Sequence, residues 1–365
     1  MLSLVITIGV LVFFAWFSIK KIIEFIFSSG GNEIYFEENQ NNDEPLKVEI
    51  KNSKFNTSAI EEYYGENIKQ MEFRPQKWEE FISQEEAKDR AKTIIKKVNM
   101  GIKSHLILSA IRGHGKTTFI ELLAKTLNAK LIQRVGKQID EDDLLNIMNE
   151  INTSEEKNVV LFIDEIDVMD WKIIKILNPI IEQFKINGVN IKPFTFACAT
   201  INKHILIKNN PDTLDRIPHH INFIRYNSED IGKIIKQYRE HLYSEINVLD
   251  KIIQVISKNC KFNPRTSIAL LEDYVVEKNI DKVLKNNNII KDGLTNVDVK
   301  ILEVLSETKR AIGANALSQR VGLDQNQYLR EYEPFLVEFN YINRIPSRVI
   351  SEKGKKLLET IKEDK

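Results

Sequence analysis

The stretch "LSAIRGHGKTTFIELL" contains most of a phosphate-binding loop. The P-loop pattern is Gly, four residues of any kind, Gly-Lys, and then Ser or Thr. Gly115, Lys116 and Thr117 match its end, whereas Ala110 stands where the first glycine is expected. In such a loop the backbone amides cradle phosphate oxygens, the lysine reaches the terminal phosphates and the hydroxyl ligates Mg²⁺. Because Gly113 and Gly115 remain and alanine adds only a methyl group, we expect a working nucleotide site.

A second motif, "NVVLFIDEID", supplies the acidic residues that such a site requires. Val159–Ile163 is an unbroken apolar run, which is typical of a strand buried on both faces of a sheet. It ends in Asp164 and Glu165, the pattern of a Walker B motif. Asp164 would orient Mg²⁺, and Glu165 would polarise the attacking water. Together the two motifs predict ATP hydrolysis.

The elements around the loop have the arrangement that phosphate binding requires. "SHLILSA" before the loop reads as a short apolar strand, and "TTFIELLAKTLNA" after it has helical spacing. A strand, a glycine loop and a helix in this order direct the loop amides and the helix N-terminus at the phosphates. Four apolar side chains of the helix are expected on one side: Phe119, Leu122, Leu123 and Leu127.

The N-terminus differs from the rest of the chain. Leu2–Ile19 carries no charge and is followed at once by Lys20 and Lys21. As a helix this run would reach roughly 27 Å, which is close to the thickness of a bilayer's hydrocarbon core. A cleaved signal peptide would have a basic start and a small-residue cleavage site, and a buried core helix would have a polar stripe. We therefore predict a membrane anchor over residues 1–27, with Trp16 near the interface.

The same segment predicts where the remainder of the protein lies. Because the lysines follow the apolar run, the positive-inside rule puts the C-terminal bulk in the cytoplasm, as a single-pass membrane protein. Residues 28–70 carry several acidic side chains and no positive charge before Lys47, so we interpret them as an acidic, flexible linker.

Charge and cysteine content exclude some classes of protein. Lys plus Arg equals Asp plus Glu at 52 each, so no overall basic field indicates nucleic acid. The two cysteines, Cys198 and Cys260, are too few for a disulfide framework or a zinc site. A reducing compartment and buried, unreactive cysteines fit best.

These motifs resemble those of an AAA+ ATPase, and most of all the RuvB family of Holliday-junction branch-migration motors. "FRPQKWEEFISQEEAK" resembles the family's base-binding segment, "AIRGHGKTT" its phosphate loop and Asp164–Asp167 its Asp-Glu-Ile-His. The residues that the resemblance places around ATP are Arg74, Pro75, Phe81, Ile82, Gly113, His114, Gly115, Lys116, Thr117, Thr118 and Arg265. The resemblance covers roughly residues 71–361 and implies ATP and Mg²⁺ as cofactors.

The resemblance also implies catalytic residues outside the two motifs. "FTFACATIN" is similar to the sensor 1 strand, with either Thr200 or Asn202 as the polar sensor. "DTLDRIPHHINF" resembles the segment with the arginine finger, which points to Arg216, and "NPRTSIALLEDY" is similar to the sensor 2 helix, which points to Arg265. A finger acts on a neighbouring subunit's nucleotide, so a homo-oligomer, and in this family a hexameric ring, is expected. A surface ion pair of Arg216 with Asp212 or Asp215 is the alternative.

Two departures from the family concern its partners. Between the Walker B acids and sensor 1 the chain is about a dozen residues shorter than its relatives, and what remains is "FKINGVNIKPF". The missing part resembles the hairpin that grips RuvA, so the contact with a RuvA-type partner is in doubt. Asn187 and Gly188 suggest a two-residue hairpin turn instead. The wing segment "NRIPSRV" also has few basic residues and no tip glycine.

The chain divides into three predicted domains after the linker: an α/β domain over 71–220, a helical lid over 221–292 and a winged helix over 293–365. "REYEPFLVEFNYINRIPSR" resembles the family's winged-helix signature, and Arg344 and Arg348 are its candidates for DNA backbone contact. The predicted function is a membrane-anchored ATPase that translocates or remodels DNA. The alternatives are a membrane-tethered remodeller of protein complexes and a nucleotide-dependent switch with little turnover.

Overall fold

The structure of the protein is a computed structural model. This structure describes residues 73–363 except 187, 202–205, 207, 245, 309, 345 and 346. The predicted anchor, the acidic linker and Asn202 lie outside the described residues. Within the described part of the chain, every helix is too short or too polar to span a bilayer.

A parallel sheet of five strands, in the order β2-β3-β6-β1-β7, forms the centre of the first domain. Its strands are β1 (Leu106–Ser109), β2 (Ala129–Val135), β3 (Asn158–Asp164), β6 (Thr195–Thr200) and β7 (His219–Asn222). In this register Ser109 is paired with both Thr200 and Asn222, and Val135 with Asp164. The carboxyl ends of the strands therefore meet at one edge, as is usual for ligand sites of open α/β sheets.

Helices cover both faces of the sheet, which explains why the residues between Asn158 and Asp164 of β3 are all apolar. The helices are α1 (Glu85–Asn99), α2 (Lys116–Thr126), α3 (Glu141–Asn152), α4 (Trp171–Gln183) and the short α5 (Pro211–Asp215). Val160 and Phe162 pack in one core with α1 and α2, while Leu161 and Ile163 pack in the other with α3 and α4. Because side chains alternate along a strand, a strand between two helical layers is apolar at every position.

A short hairpin follows α4 at the position of the shortened segment. It consists of β4 (Lys185–Ile186) and β5 (Val189–Asn190), which pair in antiparallel fashion. Ile186 is paired with Val189, so the turn has two residues. The predicted two-residue hairpin turn is confirmed.

The next part of the chain is helical and leads into a small hairpin. Its elements are α6 (Ser228–Leu242), α7 (Asp250–Asn259), α8 (Pro264–Glu277), α9 (Ile280–Asn286), β8 (Ile289–Lys291) and β9 (Leu294–Thr295). Four of these helices share one apolar core around Ile235, Ile253 and Leu271. A side-chain cap from Asn263 and Pro264 at the first position explain where α8 begins.

The last domain has the helices and the two-stranded wing of a winged helix. Its elements are α10 (Asn296–Glu307), α11 (Ala314–Val321), α12 (Gln325–Gln327), a π-helical turn (Tyr328–Tyr332), α13 (Glu333–Glu338), β10 (Ile342–Asn343), β11 (Val349–Ile350) and α14 (Glu352–Glu363). The π turn ends two residues before Pro334, whose ring would clash with the carbonyl of Arg330 in a regular helix. A helix-turn-helix pair is formed by α11 and the segment from α12 to α13.

Candidate nucleotide site

The phosphate loop connects β1 to α2 and depends on its two glycines. Gly113 and Gly115 have φ values of +78° and +84°, a region that suits glycine. A Cβ at Gly115 would meet the Phe81 ring at 3.1 Å, and one at Gly113 would clash with the Asn263 side chain. Ala110 is buried and is not among the residues with positive φ, and its amide donates to the Thr200 carbonyl at 3.3 Å. The missing first glycine is therefore tolerated.

Lys116 lies inside the loop at the start of α2. Its Nζ donates to the carbonyl of Ala110 at 2.9 Å and to that of Ile111 at 3.3 Å. Burial lowers the pKa of Lys116, the nearby Asp164 opposes this, and Arg265 adds to the lowering. The first-turn amides of α2 have no acceptor within the helix, and Thr117 and Thr118 lie half-buried there. Buried ammonium and orphan amides together fit a phosphate group.

Asp164 and Glu165 follow β3 at the same edge of the sheet. The Asp164 carboxylate accepts a hydrogen bond from the Glu165 amide at 2.9 Å. Glu165 has a φ of +51°, an unusual value for a residue with a side chain, which turns the chain sharply after the strand. Both acids therefore lie at the carboxyl end of β3, at the edge of the sheet where β1 enters the phosphate loop.

Arg112, within the loop, contacts the predicted catalytic base. Its guanidinium Nη2 donates to Glu165 Oε1 at 2.8 Å. The side chains of Arg112 and Glu165 are 57% and 34% exposed. Loops of this kind usually have small or apolar residues at positions 112 and 114, and the sequence alone assigned no role to Arg112.

His114 is the other unusual residue of the loop, and it is buried. Its ring lies 5.6 Å from that of Tyr226, and its carbonyl accepts from the Tyr226 hydroxyl at 3.5 Å. Burial lowers the pKa of His114 to about 4, so the ring is neutral at pH 7. Its Nε2 is without a hydrogen-bond partner among the described residues. The side chain therefore packs the loop against Tyr226 of the helical part of the chain.

The sensor 1 candidate Thr200 ends β6 beside the loop. It is fully buried, and its hydroxyl donates to Asp167 Oδ1 at 2.7 Å. Asp167 belongs to the segment that follows Glu165, so this bond ties sensor 1 to the Walker B turn. The alternative Asn202 lies outside the described residues, and the choice between the two stays a prediction.

The start of α8 rests against the phosphate loop. Asn263, the cap of this helix, accepts from the Arg265 amide at 3.0 Å, and its own Nδ2 donates to the Arg112 carbonyl at 2.8 Å. Arg265 Cβ is 3.0 Å from where a Cβ on Gly113 would be. The structure thus brings the sensor 2 candidate to the loop. Asn263 was not predicted, although an Asn-Pro pair at a helix start is a recognisable capping signal.

The predicted base-binding segment lies beneath the loop. The Phe81 ring is buried, with edge-on contacts to Phe119 and Phe223. Arg74 forms an ion pair with Glu121 of α2, and Pro75 and Ile82 are half-buried nearby in sequence. Phe81 therefore supports Gly115 from the core side.

Arg216 is not brought to the loop of its own chain. Its Nε donates to Glu182 Oε2 at 3.0 Å and its Nη1 to the Asp212 carbonyl at 2.6 Å. The side chain is 32% exposed, and Glu182 is 49% exposed. The carboxylate partner is thus Glu182, not the Asp212 or Asp215 side chain that sequence reasoning considered.

The two wing arginines have different surroundings. Arg348 is 12% exposed and forms a two-point contact with Glu333, through Nε at 2.5 Å and Nη2 at 3.2 Å. Arg344 is 63% exposed, and its Nε lies 3.7 Å from the same carboxylate. Arg344 is available to a ligand, whereas Arg348 is held inside the domain.

A cluster that we call the lid–wing joint connects the helical part to the winged helix. Arg225 donates to both carboxylate oxygens of Glu338, at 2.8 and 2.6 Å, and to the Lys261 carbonyl at 3.0 Å. Phe262 stacks on Phe339 with ring centroids 5.3 Å apart. The joint consists of Arg225, Lys261, Phe262, Asp298, Phe335, Glu338 and Phe339. Arg225 of this joint directly precedes Tyr226, which contacts the phosphate loop.

Both cysteines are buried in apolar surroundings and carry free thiols. Burial raises the pKa of the Cys260 thiol to about 11 and that of Cys198 further. A thiol with so high a pKa is not a nucleophile at neutral pH.

Comparison with known proteins agrees with this geometry. Residues 73–208 match the model of the Holliday junction DNA helicase RuvB P-loop domain, and residues 291–359 match that of the RuvB C-terminal winged helix domain. The RuvB subunit of Mycoplasma genitalium is 30% identical over 306 residues, which cover 78% of this chain and 97% of that protein. The RuvB subunit of Mycoplasmopsis pulmonis is 30% identical over 322 residues, which cover 80% and 99%.

A solved structure has the same fold over the same part of the chain. The RuvB Holliday junction branch migration motor of Thermotoga maritima superposes with a TM-score of 0.68 and is 29% identical. The match covers 78% of this chain and 98% of that one. It therefore includes nearly the whole length of the relative.

Proposed function

The chain belongs to the RuvB family of AAA+ ATPases, and from that membership we propose that it is a motor that translocates or remodels branched DNA. Its curated relatives carry the name of a Holliday junction branch migration complex subunit. As an AAA+ ATPase it hydrolyses ATP and uses Mg²⁺. The observation that carries the proposal is a phosphate loop that lacks only its first glycine, together with an acid pair, within the same packed unit as a winged helix.

Each residue of the site has a proposed task in hydrolysis. Lys116 would exchange its carbonyl partners for phosphate oxygens, which are stronger acceptors because they are charged. Thr117 and Asp164 would hold Mg²⁺, which supplies positive charge to the phosphates when bound. Glu165 would orient and polarise the attacking water. Thr200, fixed by Asp167, would report the state of the site to the Walker B turn.

Assembly into a ring, in this family a hexamer, completes the site. Arg216 contacts Glu182 at a partly exposed position, and an exposed ion pair contributes at most about 1 kcal/mol. Arg216 is therefore able to leave Glu182 and to contact the phosphates of the nucleotide bound to a neighbouring subunit. An arginine supplied in this way accelerates phosphoryl transfer on the order of thousandfold or more.

The lid–wing joint supports transmission from ATP to DNA. Asn263 and Tyr226 contact the phosphate loop, and Arg225 and Lys261, close to them in sequence, contact the winged helix. A change in the loop is therefore able to move the winged helix through a short, well-packed path. Arg344 is the best-exposed candidate of the wing for phosphate contact.

Two further proposals concern partners and location. The hairpin of β4 and β5 has two residues in each strand, and its small size supports a weakened contact with a RuvA-type partner.

The uncharged run before Lys20 and Lys21 supports a membrane anchor over residues 1–27, with the ATPase on the cytoplasmic side. Deleting residues 1–27 should release the protein from membranes without loss of ATPase. Recovery of the full-length chain in the soluble fraction contradicts the anchor.

The test of the DNA motor uses the full-length protein in detergent. We expect duplex and four-way junction DNA to stimulate its ATPase and the Glu165→Gln variant to retain DNA in the presence of ATP. Binding should weaken steeply with salt, because phosphate contacts release counterions. If the ATP-bound variant fails to bind DNA even at low salt, the proposal of a DNA motor is wrong. Remodelling of a protein substrate then becomes the better-supported function.

A further inference from the structure

We propose that Arg112 senses the terminal phosphate of ATP within its own subunit: it pairs with Glu165 when that phosphate is absent, and it leaves Glu165 and contacts the phosphate when ATP binds. This inference rests on the proposed ATPase function of the same site. It assigns a role to the loop residue that departs from the usual small or apolar type.

The backbone of Arg112 is held by hydrogen bonds to its carbonyl, whereas its side chain is exposed. Its carbonyl accepts from Asn263 Nδ2 at 2.8 Å and from the His114 ring at 3.3 Å. Gly113, the next residue, is packed against Asn263. The guanidinium is therefore presented from a fixed point on the loop that would surround the phosphates.

The acceptor that the guanidinium contacts is the residue that would act on the attacking water. The contact at 2.8 Å uses Glu165 Oε1, so one carboxylate oxygen is committed to the loop. A water molecule is polarised best by a carboxylate whose oxygens are available to it. The pair of Arg112 and Glu165 therefore restrains hydrolysis for as long as it persists.

A terminal phosphate competes well for this arginine. The pair is partly exposed, with side-chain exposures of 57% and 34%, so solvent screens it. A phosphate group offers more negative charge than one carboxylate and matches the guanidinium fork in a two-point contact. ADP lacks the terminal phosphate, so it leaves Glu165 paired. Arg112 should therefore distinguish ATP from ADP.

The experiment measures the affinities of the full-length protein for fluorescent ATP and ADP analogues. In the Glu165→Gln background, which blocks hydrolysis, we expect Arg112→Ala to weaken ATP binding about tenfold and to change ADP binding by less than about twofold. Arg134→Ala is the matched control, because Arg134 forms a similarly exposed 2.7 Å pair with Glu150 outside the loop. It should change neither affinity.

A second measurement tests the exchange itself. Glu165→Ala alone should strengthen ATP binding, because Arg112 no longer has to leave a partner, and this gain should vanish in Arg112→Ala, Glu165→Ala. If Arg112→Ala changes the affinities for ATP and ADP by the same factor, so that the ratio of the two affinities is unchanged, the inference is overturned. The ATPase proposal fails separately, if Lys116→Ala leaves nucleotide binding intact.

Discussion

Arg348→Ala is expected to loosen the winged helix, whereas Arg344→Ala is expected to weaken DNA binding and to leave folding intact. Arg348 is 12% exposed, and its partner Glu333 is 3% exposed. Removing the arginine leaves a buried carboxylate without its main counter-charge. Glu333 also lies beside Tyr328, whose hydroxyl is buried, so the surroundings offer little water to the carboxylate.

The size of the effect follows from these surroundings. Removing one partner of a buried ion pair destabilises a protein by about 3–5 kcal/mol. Arg344, at 3.7 Å from Glu333, is able to supply part of the lost charge. We therefore expect a loss of about 2–3 kcal/mol for the winged helix, which corresponds to about 30- to 150-fold in its opening equilibrium.

Hydrogen exchange in the full-length protein measures this equilibrium in one domain. Unfolding of the whole chain is unsuitable, because several domains do not unfold as two states. Backbone amides of α10, which shares the core of the winged helix, should exchange about 30- to 150-fold faster in Arg348→Ala. They should be unaffected in Arg344→Ala. Arg348→Met combined with Glu333→Gln should restore part of the protection, because no buried charge remains unpaired.

The opposite outcome would assign Arg348 to DNA binding. If Arg348→Ala changes exchange in α10 by less than about threefold and reduces DNA affinity as much as Arg344→Ala does, then Arg348 is a DNA contact. Its pair with Glu333 would then not be what stabilises the winged helix.

Three further predictions concern the nucleotide site. Lys116→Ala should abolish nucleotide binding and Glu165→Gln should bind ATP without turnover, as measured by filter binding; wild-type hydrolysis by Glu165→Gln would remove Glu165 as the base. Arg216→Ala subunits mixed with Glu165→Gln subunits should recover some ATPase at mixed interfaces, and a monomer with full activity would contradict this. Burial lowers the pKa of His114 from 6.5 to about 4, so its contribution to stability is complete above pH 6.5 and is lost as the pH falls toward 4. His114→Leu should flatten this loss in the hydrogen-exchange protection of the α2 amides measured across pH; an unchanged slope would exclude His114 as its source.

The sequence predicted those parts of the site that lie within continuous segments. The loop with Gly113 and Gly115, the strand that ends in Asp164 and the helix after Lys116 are each specified by local pattern and by the spacing of apolar residues. The helix with Phe119 and Leu123 on its buried side is confirmed. Local signals suffice here because strand, loop and helix are consecutive, and each pattern fixes which side of its own element is buried.

Contacts between distant segments were not predictable in the same way. Arg112 and Glu165 are separated by 53 positions, and Arg112 and Asn263 by 151. These distances close only because the strand order puts β3 and β1 on either side of β6 and because α8 returns to the loop. Neither a motif nor a period in the sequence states which distant acceptor a charged side chain will contact.

The sequence by itself therefore determined the chemistry available to this protein: a phosphate loop, an acid pair and a C-terminal winged helix. Tertiary structure decided how individual charges are used. It put Arg348 against the buried Glu333 while Arg344 stays exposed, and it put Arg112 on Glu165. The physical reason is that a residue's type and its neighbours in sequence fix its charge and its local backbone, whereas the partner and the burial of that charge depend on which elements pack beside it.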